Sequence, residues 1–334
     1  MKKPWMKMRR RAAIAGIAIP LAVAWVAGCG GKYDKPLEMP SKPRLGEYAY
    51  WDGYAGFEHA NCLSIANGKM FVSYSEPSQA LAFFSHADPI PTNVFLGFLG
   101  LTRPVKIGAG KYAIAVADSL ETLTVRIYGL RGGDPIASFT DPDWRRISGL
   151  AMDDSGNVYV ADAVKNFVRA YGPTGRKRFQ VDLADSGFGI GHVMRPQSIS
   201  YDGEALLIAE AHPEKFQVQR IRIDEPQKGI PFSAANPYIS TFTDAEGNQL
   251  NLTKPVAVAA TRQGSIFVVD RELGKIFKFD LAGNSIAIVN DVTAGGPSRL
   301  DDPLAMGTYN ESDIVDNVYV LDQATGIIYQ WKKE

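Results

Sequence analysis

Apolar residues in this chain come in short runs rich in Val, Ile, Tyr and Phe, punctuated by Gly, Asn, Asp and Pro. That is the alternation of β-strands and turns, and no helical period runs through it. One phrase recurs: a Pro, a short apolar strand, a Gly or Asn turn, a second strand ending in an acid, then a third strand. It is read at residues 104–108 with 112–118, 147–153 with 156–162, 196–200 with 205–210, 255–259 with 264–270, and 303–307 with 317–322. A weaker first copy covers 63–74. The acids at 118, 162, 210, 270 and 322 stand 44, 48, 60 and 52 residues apart, and Tyr74 lies 44 before the first of them. A period of roughly 40–50 residues is that of one four-stranded propeller blade, and it is too long for leucine-rich repeats. The pattern predicts an all-β chain folded as a six-bladed β-propeller over residues 46–334.

The same pattern predicts how the ring closes. The fifth copy shows four strands, at 256–259, 266–270, 275–279 and 285–289. The sixth shows three, the last at 326–331, before three charged residues and the end of the sequence. Its outer edge would be left unpaired, which invites aggregation. Residues 46–52 precede the first blade, alternate, and hold Tyr48, Tyr50 and Trp51. An N-terminal strand at 47–51 is therefore predicted to join the last blade beside 327–331. A period of two puts Tyr48 and Tyr50 on one face, against an apolar face of a neighbouring blade.

The first thirty residues read differently. Six cations and no acid occupy residues 1–11, and an apolar run from Ala12 to Ala27 follows, broken only by Gly16 and Pro20. A membrane span needs about 20 apolar residues, so the layout is that of a secretory signal. Val26-Ala27-Gly28-Cys29 resembles the lipobox of bacterial lipoproteins. The resemblance implies removal of residues 1–28, lipid on Cys29, and the membrane as a partner through that lipid. Gly30 stands where enteric lipoproteins kept in the inner membrane carry Asp. By that family rule the outer membrane is favoured in an organism that has one. Residues 29–45 read as a tether, with Pro36, Pro40 and Pro43 among Lys32, Lys35, Lys42 and Arg44. Such a stretch is extended and solvated and reaches at most about 55 Å.

Charge and cysteine content narrow the partners. The chain has 36 basic and 36 acidic residues, so losing the six cations of the signal leaves a mildly acidic body. A nucleic-acid footprint would need a clustered basic surface, so no nucleic-acid partner is expected. With Cys29 lipidated, Cys62 has no partner and is read as a small buried hydrophobe.

The repeated phrase resembles the NHL repeat, most closely from Gly149 through Tyr171, where Val158-Tyr159-Val160-Ala161-Asp162 matches the strand that marks that family. The resemblance covers about residues 60 to 331 and implies a propeller, which is a scaffold for many activities. The acid closing each second strand is expected to accept hydrogen bonds from the turn after it.

Arg103, Arg146, Arg195 and Lys254 each precede the first strand of a blade, with Asp302 opposing them in the sixth. One channel mouth would then gather cations and draw anions, unless each pairs with an acid of its own or a neighbouring blade. His59 and His192 fall in leading loops of the same kind, and His212 follows the second strand of blade four near Glu210. His and carboxylate ligands can hold zinc, but blades one and four are opposite and the spacing is not tight, so no metal or cofactor is predicted.

Peptide-amidating lyases of related fold place His just after the blade-opening Pro, where this chain is read to carry Leu63, Val105, Ser148, Gln197, Val256 and Leu304. The Glu-Asn-Asn-Asp set of the calcium-dependent lactonases finds no match, and no nucleophile elbow, phosphate loop or zinc-spaced motif is present. The expectation is an envelope lipoprotein that binds or scaffolds a protein or peptide. The alternative is a hydrolase or lyase acting at the channel mouth, with metal at His192, Glu210 and His212.

Overall fold

In the computed structural model the repeated phrase becomes a hairpin. Asn67 and Gly68 both take left-handed backbone, with φ of 47° and 70°, as a two-residue turn matched to strand twist requires. Strands Ala60–Ala66 and Lys69–Tyr74 are thereby joined with Ala66 opposite Lys69. The structure describes residues 48–333 apart from 75–81, 86–93, 96–97, 120–121, 180–188, 226–227, 245, 262–263 and 311–315. The expected signal, Cys29 and the tether lie outside the described residues.

Among the described residues are six four-stranded antiparallel sheets and one separate hairpin. Sheet one continues from its first two strands to Ala82–Ser85 and Val94–Phe95. Sheet two is Pro104–Ala109, Ala113–Asp118, Thr124–Gly129 and Ala137–Thr140. Sheet three is Ile147–Met152, Val158–Asp162, Phe167–Tyr171 and Lys177–Phe179. Sheet four is Pro196–Tyr201, Leu206–His212, Lys215–Ile221 and Tyr238–Ile239. Sheet five is Pro255–Ala260, Ile266–Asp270, Lys275–Phe279 and Ser285–Ile288. Sheet six is Pro303–Asn310, Asp316–Asp322 and Ile327–Lys333, with Tyr48–Ala55 on its outer edge.

The fold is an all-β propeller. The first strand of each sheet lies beside the first strand of the next, and that of sheet six lies beside that of sheet one. These inner strands approach so closely that side chains are excluded in places. A Cβ on Gly108 would lie 2.7 Å from the Leu150 carbonyl carbon, and one on Gly149 would lie 2.9 Å from the Ile199 nitrogen. The second strands are sandwiched between neighbouring sheets, so all five residues of Val158–Asp162 are buried. Burial on both faces explains why these strands read as continuous apolar runs rather than alternating ones.

Each inner strand carries an irregularity at the same place, between Ala60/Cys62, Pro104/Lys106, Ile147/Gly149, Pro196/Ser198, Pro255/Ala257 and Pro303/Ala305. The shared bulge fixes the register between sheets. It aligns Asn61, not Leu63, with Val105, Ser148, Gln197, Val256 and Leu304, which corrects the sequence alignment of the first copy by two residues.

The strand Tyr48–Ala55 runs antiparallel to Ile327–Lys333, from Tyr48 opposite Lys333 to Ala55 opposite Ile327. Expected at 47–51, it is longer, and Glu47 lies outside the described residues. An irregularity between Tyr50 and Asp52 turns Trp51 outward, where Lys332 sits 4.7 Å over its ring. Tyr48 is buried edge-on to Phe267 of sheet five, and its hydroxyl accepts from Lys278 Nζ at 3.0 Å. Tyr50 packs on Trp331, ring centres 6.0 Å apart. Sequence reading missed the hairpin Thr241–Thr243 with Gln249–Asn251, an insertion that accounts for the long gap between the acids at 210 and 270.

Candidate functional site: the leading-loop face and the channel

The acids at the ends of the second strands anchor the loops that lead into the inner strands. Asp270 accepts from the Thr253 and Lys254 N–H groups at 2.7 and 2.8 Å and from the Thr253 hydroxyl at 2.8 Å. It also accepts from the Glu272 and Leu273 N–H groups in the turn that follows. Asp162 takes the N–H groups of Arg145, Arg146, Val164 and Lys165, and Asp322 those of Asp301, Asp302, Ala324 and Thr325. Asp118 takes Thr102 and Arg103, with Arg126 alongside. Burial alone would raise the Asp118 pKa, but these N–H groups, the Thr102 hydroxyl and the Arg126 charge hold it below the ordinary carboxylate value. Asp162, Asp270 and Asp322 thus serve the turn after them, as expected, and also the loop before the inner strand, whereas among the described residues Asp118 and Glu210 take backbone N–H groups only from that leading loop.

The same clamp fixes the backbone of the predicted cations. The carbonyls of Arg103, Arg146, Arg195 and Lys254 accept from Ser119, Ala163, Ala211 and Arg271 N–H groups. Arg195 sits in the left-handed region at φ 48°, its N–H donating to Asn166 Oδ1 of sheet three at 2.9 Å. The common register puts His59, Arg103, Arg146, Arg195, Lys254 and Asp302 at one equivalent position, directly before the inner strand. Inner strands start at the same end of the ring, since the Asn61 amide donates to the Pro104 carbonyl between sheets one and two and the Ser148 hydroxyl to the Pro196 carbonyl between sheets three and four. His59, Arg103, Arg146 and Arg195 are exposed and Lys254 half-buried. None of the four Arg and Lys side chains has an ion-pair partner among the described residues, whereas Asp302 is paired to Arg271 of sheet five.

His192, His212 and Glu210 are drawn into a different arrangement, inside sheet four. Glu210 is fully buried. It accepts from Met194 N–H and from the Gln217 and Gln219 amides, with Lys215 Nζ at 3.6 Å. Burial pushes its pKa up, against Lys215 and these hydrogen bonds, and burial pushes that of Lys215 down against Glu210. His192 contributes its carbonyl, which accepts from Lys215 Nζ and Gln219 Nε2, both at 2.6 Å. His212 Nδ1 accepts from Glu214 N–H at 3.3 Å. Among the described residues no three His, Cys, Asp or Glu side chains are grouped to hold a metal. His59 belongs to sheet one, across the ring.

Sequence reading did not find the cavities. A channel cavity of about 150 Å³ is lined by inner strands of all six sheets and bears Lys106 as its one charged lining residue. It shares Ile65, Ala109, Met152, Tyr201, Ala260 and Thr308 with a vestibule of about 420 Å³ on the hairpin-turn side. That is the end opposite the leading loops. The vestibule is edged by Asn67, Lys111, Asp154, Asp202 and Tyr309. Apart from Tyr309, near the end of Pro303–Asn310, these are turn residues, indistinguishable in sequence from ordinary turn chemistry. Cys62 is buried in the wall and unpaired, as expected.

No protein-family model matches the chain, and no curated protein does. Solved structures do resemble it. A structural-genomics protein of unknown function from Bacteroides thetaiotaomicron is 15% identical, with 84% of this chain and 72% of that one covered and a TM-score of 0.60. A chain of the nidogen/laminin complex is 16% identical, with 71% of this chain and 81% of that one covered and a TM-score of 0.49. At 15% identity the likeness to the Bacteroides protein is one of fold alone.

Proposed function

We propose that this protein is a six-bladed, NHL-type propeller lipoprotein of the bacterial cell envelope, closed by its N-terminal strand and held to the membrane through lipid on Cys29. Its work is to bind or scaffold a protein or peptide, and the leading-loop face is the docking surface. The observation that carries this reading is the ring of basic side chains at one structural position: Arg103, Arg146, Arg195 and Lys254 beside His59, with Asp302 already paired to Arg271. Buried acids hold the Arg103, Arg146 and Lys254 amides and the Met194 amide beside Arg195, while the four side chains have no ion-pair partner among the described residues. Rigid, unsatisfied cations favour a partner with an acidic surface, by complementarity and by steering.

Crosslinking in intact membranes tests it. The wild type should crosslink a discrete partner. Reversing Arg103, Arg146, Arg195 and Lys254 to Glu should abolish that product, while reversing Lys69 and Lys111 on the opposite face should leave it. Equal yield from both charge reversals would sink the docking face. A Cys29→Ala variant that still fractionates as a processed, membrane-bound species would sink the anchor.

A further inference from the structure

The channel cavity has a one-sided chemistry. Its lining includes no acid and one cation, Lys106. The Lys106 ammonium has three donors and makes no hydrogen bond or ion pair with any described residue. Three lining hydroxyls add to it. Ser64 Oγ accepts from Ala109 N–H at 3.1 Å and Ser198 Oγ from Val258 N–H at 3.4 Å, across the seams between neighbouring sheets. A hydroxyl has one proton and two lone pairs. With a lone pair taken by the backbone, each proton is left to donate, and neither donates to a described residue. The Ser200 hydroxyl makes no hydrogen bond with a described residue. Lys106, Ser64, Ser198 and Ser200 are therefore left with donors that meet no acceptor among the described residues.

The shared bulge also gives the levels. Lys106 and Ser198 occupy equivalent positions, and Ser64 and Ser200 lie two residues further toward the hairpin turns. Two residues of strand are about 6.8 Å, within reach of a lysine stem. Apolar lining residues such as Leu63, Ile107 and Val256 complete the wall.

We propose that the channel binds a small carboxylate monoanion, held by the Lys106 ammonium and the Ser64, Ser198 and Ser200 hydroxyls and admitted through the hairpin-side vestibule. One cation balances one negative charge, which favours a carboxylate over a phosphate dianion. A cavity of about 150 Å³ has the room of about five waters, enough for an acid of about two to four carbons. The site is independent of the leading-loop face and opens on the other side of the ring.

Amine acetylation of the full-length protein, read by mass spectrometry, tests it with Lys254 and Lys111 as internal references. Ionic strength is held constant with sodium chloride while sodium acetate is added. At ten times its midpoint concentration, acetate should slow labelling of Lys106 by roughly tenfold by mass action and leave Lys254 unchanged. Acetamide, the neutral isostere, should give no protection. Thermal melts supply the second arm: acetate should raise the Tm of the wild type and not that of Lys106→Met. That variant is expected to fold, because Cys62, Ala257 and Ala305 fill the equivalent position in other sheets. Absence of saturable protection, equal protection by acetamide, stronger protection by inorganic phosphate, or an undiminished acetate shift in Lys106→Met would each overturn the proposal.

Discussion

Replacing Asp270 by Ala isolates the clamp at the start of an inner strand. The carboxylate is fully buried and accepts five hydrogen bonds, from Thr253 N–H, Thr253 hydroxyl and Lys254 N–H before the strand and from Glu272 and Leu273 N–H after it. Alanine strands all five donors. Glu272 is exposed, so water replaces the acid there at little cost. The two leading-loop amides are part-buried, and each stranded donor costs about 1–3 kcal/mol. The loss is about 4 kcal/mol, which for a domain of this size is roughly a 7 °C fall in Tm.

Asp280→Ala is the control. Asp280 also accepts from several donors, Ala282 N–H and Asn284 N–H and Nδ2 among them, but in an exposed turn, so its loss should be within about 1 kcal/mol. Urea unfolding followed by circular dichroism gives both values, and hydrogen exchange at the Lys254 amide reports the clamp locally. If the two variants unfold within about 1 kcal/mol of each other, or if Lys254 exchange is unchanged in Asp270→Ala, the clamp does not stabilise the loop.

Three other outcomes are expected. Deleting residues 30–45 should leave the melt unchanged, whereas deletion through Ala55 removes the strand paired with Ile327–Lys333, bares an edge, and should cause aggregation or a Tm fall above roughly 10 °C; size exclusion and calorimetry check both. Glu210→Gln leaves the buried Lys215 charge uncompensated and should cost about 3 kcal/mol, while adding Lys215→Met should recover most of it, as urea midpoints will show. Asp118 and Asp141 are both held below their ordinary pKa, burial being outweighed by hydrogen bonds, with Arg126 and Arg169 assisting. Their stabilisation is present above the unfolded carboxylate value near pH 4 and is lost as pH falls through the lower folded values, so Asp118→Asn should flatten the fall of the urea midpoint below about pH 4.

The chain itself determined its elements. A Val/Ile/Tyr/Phe run such as 266–270, ended by a buried acid and bounded by glycine turns, has no other stable use than a strand buried on both faces. Repetition at blade length then makes a propeller the way to bury every copy. The acids at 118, 162, 210, 270 and 322 were legible too, because a buried carboxylate closing a strand needs donors, and at 162, 270 and 322 the next turn supplies some of them. Tertiary structure decided what depends on neighbours distant in sequence. Register is one such property: the bulge that aligns Asn61 with Ser148, and His59 with Arg146, is set by pairing with the second strand and leaves no mark in composition. The fate of Glu210 is another, since its partners Lys215, Gln217 and Gln219 occupy alternate positions of the next strand and close over it only when that strand pairs. The hairpin at 241–251 shows a third limit, because its exposed strands lack the apolar runs that revealed the others. The channel is the clearest case. Lys106, Ser64, Ser198 and Ser200 are scattered over three sheets, and only closure of the ring brings a single cation and uncommitted hydroxyls around one cavity.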